Sequence, residues 1–95
     1  AVDGAAAVYT DVWTSMGQEA ERIEREKVFR DYRVGSKLMA GAHPDACFLH
    51  CLPARRGEEV VAEVIDGQQS GVIQQDGNRL HLQKGLLAWL FGAKQ

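Results

Sequence analysis

The sequence predicts an α/β fold, with a short parallel sheet flanked by helices and a long carboxyl-terminal helix at the end. Three observations carry that expectation. The apolar run Cys47-Phe48-Leu49-His50 stops at Cys51-Leu52-Pro53, and four to eight apolar residues closed by a breaker read as a buried strand. A second run, Ala5 to Val12, gathers β-branched and aromatic residues toward its end, as strands do. Helix-spaced segments alternate with both runs, and that alternation argues a parallel sheet covered by helices.

Taken in order, Ala5 to Val12 is the first expected strand, and Trp13-Thr14-Ser15-Met16-Gly17 breaks its pattern. Thr14 and Ser15 are natural helix-entry residues, and Gly17 permits a left-handed backbone angle. Gln18 to Arg33 pairs acids with bases at helical spacing, Glu21 with Arg25 and Glu26 with Arg30. Its only apolar residues besides Ala20 are Ile23, Val28, Phe29 and Tyr32, so it reads as a solvated, poorly anchored helix. Ser36 to Ala42 reads as a short helix ended by Gly41 and Pro44, with Met39 in the core and His43 facing solvent. Cys47 to His50 is the second strand. Glu58 to Ile65 is expected to form a helix closed by Asp66-Gly67, and Ser70 to Ile73 a brief third strand. Asp76 is expected to cap a final helix running to Phe91, with Arg79 in its first turn. The apolar stripe of that helix, Leu80, Leu82, Leu86, Leu87, Trp89, Leu90 and Phe91, asks for more partner surface than three short strands supply.

A chain of 95 residues makes one small domain, burying roughly 60–65% of its unfolded surface. A net charge of −2 argues against a general nucleic-acid binder. No apolar run reaches the ~18 residues of a membrane span, and no signal peptide is visible, so a cytoplasmic setting is expected. Cys47 and Cys51, four apart, are too distant on one strand to bridge. They form no zinc-binding pattern, so neither zinc nor a disulfide framework is indicated. The chain starts at Ala1 in an alanine-rich stretch, which suggests a piece of something longer.

In an open α/β sheet, ligand-contacting residues sit at the carboxyl ends of the strands. Both expected strands end in chemistry there: Asp11 to Gly17 after the first, His50 to Gly57 after the second. One carboxylate (Asp11), one hydroxyl (Ser15), one thiol (Cys51) and one guanidinium (Arg79) can converge on a small ligand. A carboxylate holds an ammonium, and a guanidinium stabilises a carbonyl oxygen as it gains charge. Cys51 is a poor candidate for covalent catalysis, because its neighbour His50 points to the other face of a strand. Plainer alternatives stay open for each. Asp11 can merely cap backbone amides, Cys51 can be a small inert hydrophobe, and Arg79 can form a surface ion pair.

Three motifs together resemble one family. Asp11-Val12-Trp13-Thr14-Ser15-Met16-Gly17-Gln18-Glu19, Phe48-Leu49-His50-Cys51-Leu52-Pro53 and Asn78-Arg79-Leu80-His81 closely resemble ornithine carbamoyltransferases, in the family's order and spacing. The resemblance spans nearly the whole chain and implies a partial Rossmann-like ornithine-binding domain over residues 1–95. It implies carbamoyl transfer from carbamoyl phosphate to the δ-amine of L-ornithine, giving citrulline and phosphate with no cofactor. By motif match, Asp11, Ser15 and Met16 (through its backbone) would bind ornithine's amino-acid end. Cys51 would orient the δ-amine and, with the Leu52 backbone, meet the carbamoyl group; Arg79 would polarise its carbonyl. The resemblance also implies a homo-oligomer, a trimer, and a Ser-Met-Gly loop that closes over ornithine.

Two departures stand out. Gly77 replaces the acidic residue usual before the Asn-Arg pair, and the family's Ser-Thr-Arg-Thr and His-Pro-x-Gln segments, which belong to an amino-terminal domain, do not occur here. The chain by itself is therefore expected to be inactive, and the last helix to be one that crosses onto the missing domain. The alternative expectation is a non-catalytic module that binds ornithine or associates with itself.

Overall fold

The computed structural model describes residues 1–92. Its elements are β1 (Ala7–Thr10), α1 (Arg22–Phe29), α2 (Ser36–Ala40), β2 (Cys47–His50), α3 (Ala62–Ile65) and α4 (Val72–Leu90), with 3-10 turns on either side of α1. β1 and β2 pair in parallel, from Ala7 beside Cys47 to Thr10 beside His50. A parallel pair needs a long crossover, and the segment between the strands supplies it with α1 and α2. Val8, Phe48 and His50 are buried with Val34, Met39, Ala42, Ala46, Val60, Val64, Ile65 and Val72. The parallel α/β architecture, the Met39 core position and the exposure of His43 all follow the sequence expectation.

Four element boundaries differ from that expectation. β1 is shorter than Ala5 to Val12, because the Ala5 carbonyl is taken by the His43 amide in the loop before β2. The helix expected from Glu58 begins only at Ala62. Residues before it stay extended: Val34 and Val60 form a parallel bridge, closed by Val34 N–H to Glu59 C=O (2.9 Å) and Val61 N–H to Val34 C=O (3.0 Å). The third strand reduces to a single bridge between Phe48 and Ser70. After it the chain turns at Gly71 straight into α4, where Val72 is buried at the first position.

Gly71 is what allows that turn. A β-carbon there would lie 2.7 Å from the Cys47 sulfur, closer than van der Waals contact permits, so only glycine lets the start of α4 approach β2. The last helix therefore starts six residues before Asn78 and runs through Asp76 and Gly77 without a side-chain cap. Asp76 is not its cap, and Arg79 sits in its third turn rather than its first. The stripe behaves as expected: Leu80, Leu82, Leu86, Leu87, Trp89, Leu90 and Phe91 are all at least half exposed.

The charged crossover segment is better held than its composition suggests. Its anchor is Trp13, buried in the first loop, whose ring stacks with Phe29 at 6.4 Å and lies 5.7 Å beneath the Arg33 guanidinium. The Trp13 carbonyl accepts Arg25 Nη1–H at 3.0 Å, Arg33 Nε–H donates to the Glu58 carbonyl at 2.8 Å, and Arg22 pairs with the buried Glu58 carboxylate. Guanidinium groups, which cover apolar surface while reaching acceptors, do here what an apolar stripe does elsewhere.

Candidate functional site

The loops after β1 and β2 face each other across a cleft of about 350 Å³, lined by Asp11, Ser15, Met16, Cys51, Leu52 and Arg55 among others. Five of the six residues expected in the site thus share one wall-to-wall space at the carboxyl end of the sheet. It forms because parallel strands in register must release both loops at the same edge. Thr14 is buried beneath the first loop while Ser15 and Met16 stand exposed above it, Met16 at 87%. Gly17 has a φ of 90°, which reverses the loop at that point. Its amide donates to Glu19 Oε1 at 3.1 Å. That bond, with Glu19's own amide and the charge of Arg55 adding to it, holds the Glu19 carboxyl below its usual range.

At the cleft's floor the Cys51 thiol donates to Asp11 Oδ1 at 3.1 Å, and the same oxygen accepts the Val12 amide at 2.7 Å. Burial first, and then the hydrogen bond and charge of Asp11, push the Cys51 thiol up; a hydrogen bond with Tyr9 acts in the opposite sense. A thiol held protonated is a donor and a shape, and a weak nucleophile. Leu52 has a φ of 56°, a left-handed conformation that costs a non-glycine residue about 1–3 kcal/mol and collects at sites where function requires it. The Leu52–Pro53 peptide is cis.

What imposes this conformation lies beneath the loop. His50 and Glu59 are fully buried, their side chains joined by Nε2–Oε1 at 2.8 Å. The opposite ring nitrogen, Nδ1, accepts the Leu52 amide at 2.8 Å, so the ring must carry its proton on Nε2 and donate it to Glu59. Glu59 Oε1 also accepts the Arg55 amide at 2.8 Å. One carboxylate oxygen thereby clamps both ends of the loop carrying Cys51, Leu52 and Pro53, while its second oxygen is buried without a partner among the described residues. The sequence marks His50 at the strand end but not Glu59 as its partner, since a separation of nine residues across an irregular loop carries no periodic signal.

Arg79 is the expected residue that stands apart. It does not line the cleft; from α4 its Nη1 donates to the Cys51 carbonyl at 3.0 Å, behind the loop. A guanidinium has five N–H donors, so the others remain for a ligand oxygen. Asp11, His50 and Cys51 bring donor atoms within 4.8 Å of one another. Both His50 nitrogens are engaged, however, and a metal would first have to displace the Leu52 amide.

An open parallel α/β unit whose two strand-end loops set a carboxylate, a thiol and a hydroxyl around a cleft is a small-molecule-binding domain of the Rossmann-like class. Residues 1–90 match the family described as aspartate/ornithine carbamoyltransferase, Asp/Orn binding domain; the chain belongs to that family. It is 61% identical over 93 residues to the ornithine carbamoyltransferase of Methylococcus capsulatus, covering 98% of this chain and 31% of that protein. The ornithine carbamoyltransferase structure from Pyrococcus furiosus superposes with a TM-score of 0.88 at 53% identity, over 99% of this chain and 30% of its own. The anabolic ornithine carbamoyltransferase structure from Campylobacter jejuni gives 0.89 at 36%, over 98% and 31%. The chain therefore spans less than a third of the length of these relatives.

Proposed function

We propose that this chain is the ornithine-binding part of an ornithine carbamoyltransferase, acting with a carbamoyl-phosphate domain that its 95 residues do not include. The observation that carries the reading is the cleft in which Asp11, Ser15, Met16, Cys51 and Leu52 converge. The Asp11 carboxylate takes an ammonium of L-ornithine, and the Ser15 hydroxyl with the Met16 backbone orients the amino-acid end. The δ-amine, once neutral, attacks the carbamoyl carbon of carbamoyl phosphate. The bond from that carbon to the bridging oxygen breaks, and the nitrogen gives one proton to the departing phosphate, leaving citrulline and hydrogen phosphate. Cys51 orients the amine as a hydrogen-bonding thiol, and Leu52 presents its backbone to the carbamoyl group. Arg79, fixed at the Cys51 carbonyl, offers its remaining donors to the carbamoyl oxygen as charge develops there. The work is positioning and electrostatics. A cytoplasmic homo-trimer serving arginine biosynthesis goes with this reading; among the described residues no helix is long and apolar enough to cross a membrane.

The test is citrulline formation by the chain alone and by the chain joined to the amino-terminal domain of a relative, with Arg79→Ala as control. The expected result is no turnover alone, turnover when joined, and its loss in the control. Turnover by the isolated chain would overturn the view that the phosphate site lies elsewhere. The exposed face of α4 favours one second reading, a self-associating module without catalysis. No turnover in either form, together with concentration-dependent association, would support it. Aspartate carbamoylated in preference to ornithine would reassign the substrate within the same family.

A further inference from the structure

We infer that Gln75 is a positioning residue for the reacting loop, tying the aim of Cys51 and Leu52 to the seating of α4; the inference rests on the transfer reaction proposed above. The parallel register ends at Thr10 beside His50. The His50 amide, at that last position, is taken by a side chain instead of a strand: it donates to Gln75 Oε1 at 3.0 Å. Because a backbone N–H can only donate, the carboxamide oxygen must face it. The Gln75 NH2 is thereby turned toward the Tyr9 hydroxyl, 3.5 Å away at the end of β1. One side chain from the helix thus spans the ends of both strands.

Arg79 lies one turn further along α4, and residues four apart share a helix face. Its donation to the Cys51 carbonyl and the acceptance by Gln75 of the His50 amide bracket the same dipeptide, amide at one end and carbonyl at the other. Glu59 clamps this loop from beneath through His50 and Arg55; Gln75 and Arg79 hold it from the side. The two clamps differ in what they depend on. Glu59 and His50 are sealed in the core, whereas most of α4 beyond its first turns is exposed, its apolar stripe unpartnered among the described residues. Gln75 therefore belongs to a helix whose seating depends on what covers that stripe, and any shift of α4 is passed to Cys51 and Leu52 through it.

The test compares Gln75→Ala with Gln75→Glu, which keeps an acceptor for the His50 amide. In the joined enzyme Gln75→Ala is expected to lower kcat about tenfold, the worth of one well-placed hydrogen bond, with KM for carbamoyl phosphate unchanged. Gln75→Glu should recover most of that loss. A lowered Tm with kcat intact, or a glutamate variant no better than alanine, would overturn the proposal. In the 15N-labelled chain alone, Gln75→Ala should move the Cys51 and Leu52 amide resonances and leave those of α3 in place. Unmoved Cys51 and Leu52 resonances would overturn it independently of activity. Absence of citrulline from the unsubstituted joined enzyme would count against the transfer reading, and the resonances would still decide the role of Gln75.

Discussion

At the residue scale the site is defined by what Cys51 is prevented from becoming. A thiol that is half buried and hydrogen-bonded to a carboxylate loses more by ionising than a free cysteine does. Its value in the folded chain is raised, so the stability it contributes is complete below the ordinary thiol range and falls as pH rises through the folded-state value. In a Cys47→Ser background, alkylation of Cys51 should therefore reach half its maximal rate at a higher pH than a cysteine peptide does. Asp11→Asn should bring that midpoint down, since it removes the carboxylate charge that opposes thiolate formation; a midpoint that stays put would mean burial alone is responsible. Glu59 makes the complementary case. Replacing it with alanine strands the His50 Nε2–H in the core and takes the acceptor from the half-buried Arg55 amide, and leaving a buried donor unpaired costs about 1–3 kcal/mol. Glu59→Ala should lose about 1–3 kcal/mol in urea unfolding, chiefly for the buried His50 donor, whereas Glu63→Ala, on exposed α3 surface, should be nearly neutral.

At the scale of elements, Gly71, which immediately precedes α4, and Gly77 within it make opposite predictions. Gly77 lies within the helix and a β-carbon there meets nothing within 4 Å, so Gly77→Ala should raise stability by about 0.5–1 kcal/mol and increase helical circular dichroism. Gly71→Ala should do the reverse, because its β-carbon has to displace the Cys47 sulfur. If both behave alike, the close approach of α4 to β2 is not what fixes the start of the helix. The same pair explains what was legible in the sequence. Cys47 to His50 was readable because an apolar run ending at proline has few other meanings, and Asp11 to Gly17 because a broken strand end exposes its polar residues. The start of α4 was not. Val72 and Ile73 carry β propensity and Asp76-Gly77 looks like a cap, yet the tertiary gain of burying Val72 against the core outweighs both local signals. Asp11, Ser15 and Cys51 could be found from strand ends, and Met16 and Leu52 from the motif match; Glu59 and Gln75 could not, because their partners are brought near only by the crossover and by α4.

At the scale of the whole molecule, the shape itself is evidence of an unpartnered surface. The radius of gyration is 16.1 Å, against about 12 Å for a compact domain of this length. Much of the excess is α4, whose 19 residues extend for roughly 28 Å with their apolar stripe in solvent. The two tryptophans report on the two regimes separately, since Trp13 is 8% exposed and Trp89 74%. In a Trp13→Phe chain, Trp89 becomes the sole indole on that stripe. Burial of the stripe by an added amino-terminal domain should shift its emission to the blue, reduce quenching by acrylamide, and slow hydrogen exchange at the α4 amides. Self-association would produce the same changes, but only as chain concentration rises, whereas the intramolecular partner acts at any dilution. Because Gln75 and Arg79 stand on the same helix, docking of the stripe should also steady the Cys51 loop. A Trp89 shift that leaves Cys51 alkylation unchanged would mean that the helix covers the site without setting its geometry.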